Sequence, residues 1–115
     1  MFNFIFRITE DFRRISKMAI LYEIDKDLEE IVPAFLDGRK KDIETIKKFV
    51  LEKNFEELRS VGHKLKGTAG SYGFMALSKL GAKIEDAAKT SKIEELKKLS
   101  SEYENHINQI QVKFV

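Results

Sequence analysis

The sequence contains no cysteine, which excludes disulfide bonds and thiolate metal sites and fits a reducing compartment such as the cytoplasm. One proline and six glycines among 115 residues leave little room for long loops. No apolar run approaches the roughly 20 residues that a membrane-spanning helix needs. Excess charge of one sign is also lacking, because 21 basic and 19 acidic residues give a net charge of +2. This balance argues against a dedicated nucleic-acid binder.

The chain is rich in apolar residues spaced three and four apart. Hydrophobic residues make up 43% and charged residues 35%, as in a folded soluble domain. From about residue 25 onward, this spacing predicts helices joined by short connections, and no strand is expected there. We therefore predict an all-α fold, an antiparallel up-down-up-down four-helix bundle with one or two additional N-terminal helices. Residues 1–24 form an N-terminal extension, and residues 25–115 form the domain.

Capping and breaking residues predict where these helices begin and end. Pro33 lies near the start of the first apolar stripe or kinks it, and Gly38 can end that helix. A second stripe covers residues 43–50. Two capping boxes open later helices: Asn54 with Glu57, and Ser91 with Glu94. The last helix is predicted to carry Leu96, Leu99, Tyr103, Ile107, Ile110 and Phe114.

The N-terminal extension allows two interpretations. Apolar residues recur at helical spacing, which favours an amphipathic helix: Ile5, Ile8, Phe12, Ile15, Ala19 and Tyr22. A strand remains the alternative, because apolar residues also alternate at Phe2, Phe4, Phe6 and Ile8.

The segment from Asn54 to Gly73 reads NFEELRSVGHKLKGTAGSYG and carries the strongest signal. At about 100° per residue, one stripe of it is expected to face the core. That stripe comprises Phe55, Leu58, Gly62, Leu65, Ala69 and Tyr72. His63 lies about 130° from the middle of the stripe, so its imidazole is expected to point to solvent.

Two glycines share the outer face with His63. Gly67 and Gly70 each cost an exposed helix roughly 1 kcal/mol relative to alanine. The lack of side chains at these positions would let a partner approach the imidazole closely, which would explain why the cost is tolerated. Gly70 could instead permit close helix packing. Lys66 supplies a positive charge within reach of an anion on the ring. The other residues expected on the docking face are Arg59, Ser60 and Lys64.

The run HKLKGTAGSYGF, from His63 to Phe74, resembles the signature of histidine phosphotransfer (HPt) domains. The resemblance extends over residues 26–112 and also fits the helical layout of that family. It implies that His63 is the phosphorylated residue and that Lys66 contacts the phosphoryl group. It further implies that Gly67 provides clearance and that Gly73 closes the helix.

The resemblance implies a phosphocarrier in a two-component phosphorelay. Its partners would be receiver domains of response regulators or hybrid histidine kinases, and neither nucleic acid nor a membrane is expected to bind. No cofactor is expected on this chain, and the receiver would supply Mg²⁺. The sequence has no Walker-type or kinase-type glycine loop, so we expect a carrier and not an ATP-dependent kinase. A monomer is expected.

Two other function classes remain open at this stage. A helical adaptor would keep the bundle but would not depend on His63, and a helix-turn-helix DNA binder is weakened by the balanced charge. Two further features are expected to be structural. Glu85 and Asp86 are predicted to form a solvated face, and His106 is predicted to be a packed or surface histidine.

Met18 is a candidate natural start of the protein. If the source is bacterial, Arg13 and Arg14 can be encoded as AGGAGG, a ribosome-binding sequence, with the codons of residues 15–17 as the spacer. The alternative is a genuine amphipathic helix that packs on the bundle. If Met18 is the natural start and residues 1–17 come from translated untranslated-region sequence, intact-mass measurement of the protein from its native source gives a chain that begins at Met18. A mass that corresponds to Met1 would end this hypothesis.

Overall fold

The computed structural model describes residues 19–115, and the expectations for the preceding residues lie outside this range. Strand β1 spans Ile20–Ile24 and is followed by a 3-10 turn at Lys26–Leu28. The helices are α1 (Val32–Leu51), α2 (Phe55–Tyr72), α3 (Met75–Lys89) and α4 (Ile93–Gln109), and strand β2 (Ile110–Phe114) follows. Each helix packs on the next, and α1 also packs on α4, so the four predicted helices form a closed bundle.

Several predicted helix ends are confirmed. Pro33 lies in the first turn of α1, where its missing N–H has no intrahelical role. The Asn54 side chain accepts a hydrogen bond of 3.2 Å from the backbone N–H of Glu57 and thereby caps α2. Gly73 ends α2 with a φ of +90°, a left-handed conformation that glycine adopts without a Cβ clash.

Two other predicted boundaries are wrong. Gly38 does not end a helix, because α1 runs through it and joins the two predicted stripes into one element. Gly38 keeps a negative φ, so the backbone does not need to turn there. Ser91 does not cap α4 either: it has a φ of +52°, and Lys92 occupies the N-cap position without a side-chain cap.

The prediction that no strand follows residue 25 is also wrong. Ile110 and Phe114 belong to β2 and not to the last helix, while Tyr22 belongs to β1 and not to a helix. The two strands pair in parallel, with Ile20 opposite Ile110 and Ile24 opposite Phe114. Apolar residues at 110, 112 and 114 fit the alternation of a strand as well as helical spacing, and only a neighbouring strand decides between them.

Tyr22 anchors the small sheet to the bundle. Its hydroxyl accepts a 3.0 Å hydrogen bond from the backbone N–H of Leu77 in α3. The same hydroxyl lies 2.6 Å from Nε2 of His106 in α4. Burial lowers the pKa of His106, so the imidazole is neutral near pH 7 and its Nε2 accepts a hydrogen bond from the Tyr22 hydroxyl. Of the two predicted alternatives for His106, a packed or a surface histidine, the structure shows the packed one.

Helices α2 and α3 touch through their backbones at two glycines. A Cβ on Gly62 would lie 2.5 Å from the Glu85 nitrogen and 2.7 Å from the Gly81 oxygen. A Cβ on Gly81 would lie 2.7 Å from the Lys66 nitrogen. Backbone atoms on a packed helix cannot yield as a flexible side chain can. The contact therefore requires glycine on both helices.

We predict that alanine has opposite effects at two glycines of α2. Gly62→Ala should lower the free energy of unfolding by about 1–3 kcal/mol, because the new methyl group overpacks the contact between α2 and α3. Gly67→Ala is the matched control: its Cβ would meet nothing within 4 Å. It should stabilise the protein by roughly 1 kcal/mol through helix propensity. Urea unfolding measures both, and equal effects at the two positions would contradict the close contact.

Candidate functional site

His63 lies on the outer face of α2, in the orientation that the sequence predicts. Its side chain is 69% exposed. Leu58 and Leu65, on the predicted core stripe, are buried. The helix phase is thus confirmed, and the imidazole is open to solvent and to a docking partner.

Glu85 of α3 lies beneath the imidazole. Its Oε2 is 2.7 Å from Nδ1 of His63, and its Oε1 accepts a 2.9 Å hydrogen bond from Nζ of Lys66. The Glu85 side chain is only 7% exposed. The prediction that Glu85 belongs to a solvated face is therefore wrong, whereas Asp86 is exposed as predicted.

The spacing of residues along α3 indicates that Glu85 is buried. It follows Gly81 by one helical turn and Leu77 by two, so it continues the buried face of α3. A carboxylate on a buried face needs partners, because an unpaired buried charge is costly. The sequence of α3 thus indicates that the Glu85 carboxylate requires partners, but it does not identify them, because they lie on another helix.

The charges around Glu85 determine which nitrogen of His63 is free. The Lys66 ammonium, and then the His63 hydrogen bond, hold the pKa of Glu85 below its usual value despite burial. The carboxylate is therefore ionised at neutral pH and can only accept a hydrogen bond. Nδ1 of His63 must carry the proton, which leaves the Nε2 lone pair facing outward.

An open cleft of about 460 Å³ runs alongside His63 between α2 and α3. It is lined by Glu56, Arg59, Ser60, His63, Lys66, Glu85 and Lys89. Of the predicted docking residues, it brings Arg59 and Ser60 to the imidazole, while Lys64 is exposed outside the lining. The local sequence does not predict Lys89 at this cleft, because only the packing of α3 on α2 brings it there.

The glycines of α2 differ in their surroundings. Gly67 is exposed, with open space where a side chain would be. Gly70 is half-buried instead, and a Cβ there would lie 3.2 Å from Oγ of Ser78 in α3. Gly70 therefore does not belong to the open docking face, where it was predicted, but permits the close packing of α2 on α3, which was the alternative. The Ser78 hydroxyl donates a 2.8 Å hydrogen bond to the Lys66 carbonyl and fills the space that Gly70 leaves.

The site therefore combines an exposed nucleophilic nitrogen, a buried carboxylate that orients it and several nearby cations. Within residues 19–115, no group of three or more histidine or acidic side chains is arranged to hold a metal ion. None of the helices in that range is long and apolar enough to cross a membrane. The arrangement suits transfer of an anionic group to and from His63.

Comparison with known proteins agrees with this chemistry. The family model described as "Hpt domain" matches residues 24–112, which is most of the chain. Searches of curated proteins and of solved structures give no significant match. The family serves histidine phosphotransfer in phosphorelays, and its members are carriers without kinase activity that interact with receiver or kinase domains. On the extent of this match, the chain belongs to the Hpt domain family.

Proposed function

We propose that this protein is a phosphocarrier that accepts a phosphoryl group on Nε2 of His63 and passes it on. The donor and the acceptor are aspartates of receiver domains in a two-component phosphorelay. The observation that supports this most directly is the exposed imidazole of His63, whose Nδ1 lies 2.7 Å from the buried carboxylate of Glu85. A surface histidine that serves no function does not need a buried carboxylate to orient its ring.

The transfer is an in-line displacement at phosphorus. The Nε2 lone pair forms the N–P bond while the bond between phosphorus and the aspartate oxygen breaks, and a free carboxylate leaves. Nδ1 keeps its proton throughout. The ionised Glu85 stabilises the positive charge that develops on the ring, since it lies within hydrogen-bond distance. The reverse reaction restores the neutral imidazole.

Cations at the cleft balance the charge of the phosphoryl group. Lys66 lies one turn after His63, and its bond to Glu85 holds the ammonium near the imidazole. Arg59 and Lys89 line the same cleft and add positive charge there. They also attract an acidic receiver surface. The Mg²⁺ that assists the reaction is bound by the receiver, and this chain supplies the histidine, the cations and the docking shape.

The proposal is tested by incubating the protein with a panel of receivers labelled on aspartate with ³²P. The expected result is transfer of label to the protein in the acid-labile, base-stable form that phosphohistidine takes. His63→Gln is the control and should accept none, with its fold intact, because the side chain at this position is exposed. Receivers that bind the native chain and His63→Gln equally, with no label on either, would identify a helical adaptor instead.

Charge and clearance at the site are tested by two further variants. Lys66→Ala should slow transfer roughly 10- to 100-fold, because it removes one charge-assisted hydrogen bond in the transition state.

Gly67→Gln should also slow transfer, because its side chain fills the open space beside His63. Rapid-quench kinetics measures both rates, and Gly67→Ala controls for helix propensity. A Gly67→Gln protein with lower thermal stability and unchanged transfer would show that this glycine serves packing.

A further inference from the structure

The outer edge of β2 carries backbone groups that face away from the sheet. The Val115 N–H donates to the Ile24 carbonyl, and the Val115 carbonyl accepts from the Lys26 N–H, each at 2.9 Å. Both groups of residue 115 thus point towards β1. In a parallel ladder this direction alternates along the strand. The N–H and C=O groups of Val112 and Phe114, and the C=O of Ile110, therefore point towards the open edge.

No other segment covers that edge within residues 19–115. The backbone hydrogen bonds of β2 in this range go to β1 and its flanking residues. The side chains of Ile110, Val112 and Phe114 pack towards the bundle but are only half-buried. By contrast, Tyr22 and Ile24 of β1 are 8% and 1% exposed. Among the described residues, the edge thus joins backbone groups without a partner to an apolar strip that is half covered, which is a template for an added strand.

We propose that a second copy of this chain occupies the edge, with the two β2 strands antiparallel about a two-fold axis at Val112. The two Val112 residues exchange N–H to C=O hydrogen bonds across the axis. Phe114 donates to the Ile110 carbonyl of the second copy, and the reciprocal bond forms by symmetry. The two-stranded sheets merge into one of four strands, which is a more stable unit than a pair.

The register of β2 favours a second copy over an unrelated strand. Pairing about Val112 places Ile110 opposite Phe114 of the second copy, apolar against apolar, on the bundle side. On the outer side it places Gln111 opposite Lys113 of the second copy, so like charges do not face each other. A strand that pairs with itself in this way forms an isologous interface, the commonest type in homo-oligomers.

The sheet lies far enough from His63 for both activities to coexist. Tyr22 and Ile24 contact the junction of α2 and α3, where Ile24 Cδ1 lies 3.5 Å from the place of a Cβ on Gly73. Gly73 lies ten positions after His63 in the sequence, a distance of about 15 Å along the helix. The dimer leaves both imidazoles free. It does not depend on the phosphoryl chemistry, and it replaces the sequence-based expectation of a monomer.

Two charge variants of Gln111 test the pairing by sedimentation equilibrium of the full chain. Gln111→Glu places a carboxylate opposite Lys113 of the second copy, twice by symmetry. Gln111→Lys places like charges there. The dissociation constant of the dimer should fall in the first and rise in the second, by roughly 2- to 30-fold each. Position 111 is exposed, so both variants should keep the thermal stability of the bundle. Equal constants for the two variants would overturn the register.

Val112→Pro provides an independent test. It removes the donor at the axis, and because that N–H faces away from β1, the ladder inside one chain is kept. The variant should sediment as a monomer and still accept a phosphoryl group on His63. In the native chain, hydrogen exchange at the amides of residues 112 and 114 should slow as protein concentration rises. Protection that does not change with concentration would mean that another segment of the same chain covers the edge. A monomer at millimolar concentration would also overturn the proposal.

Discussion

The backbone contact between Gly62 of α2 and Gly81 of α3 is the constraint on which the site depends. It brings two helices closer than side chains would allow, and the Glu85 backbone is part of the contact, because a Cβ on Gly62 would lie 2.5 Å from the Glu85 nitrogen. At a more ordinary separation, the carboxylate of Glu85 would not reach Nδ1 of His63 while remaining buried. The same close packing of α2 on α3 brings Lys89 to the cleft that Arg59 also lines. The geometry of the site on the outer face of α2 therefore depends on the missing side chain of Gly62 on its packed face.

A buried carboxylate is acceptable at this position because both of its oxygens are bonded. Lys66 and His63 each take one of them, and the lysine charge offsets the desolvation of the carboxylate. One group serves three purposes as a result. It fixes the tautomer of the imidazole, keeps the Lys66 ammonium near the ring and, in the proposed phosphotransfer, stabilises the positive charge on the phosphorylated ring. These purposes are linked, because a change at Glu85 would alter the imidazole and the lysine together.

The small sheet of β1 and β2 is joined to the helices by hydrogen bonds of a single side chain. Tyr22 connects β1 to α3 and α4 through one hydroxyl that accepts from Leu77 and donates to His106. Its ring also packs edge-on against Phe74, with the centroids 4.8 Å apart. Residues 20–24 and 110–114 close the bundle near the end of α2. The site and the strand edge therefore lie in different regions of a single fold.

The local sequence determined much of this protein. Helical spacing in α2 predicted which face is buried and that His63 points outward, because side-chain direction along a helix follows from its period alone. Asn54 and Gly73 marked the ends of α2, since capping depends on a few neighbouring residues. The motif from His63 to Phe74 identified the family. Only the tertiary structure decided the partners of His63 and the identity of the strands. Glu85 is 22 residues away from His63, and β2 needs β1 from the other end of the chain. Such pairings arise from packing between elements, which no local pattern specifies.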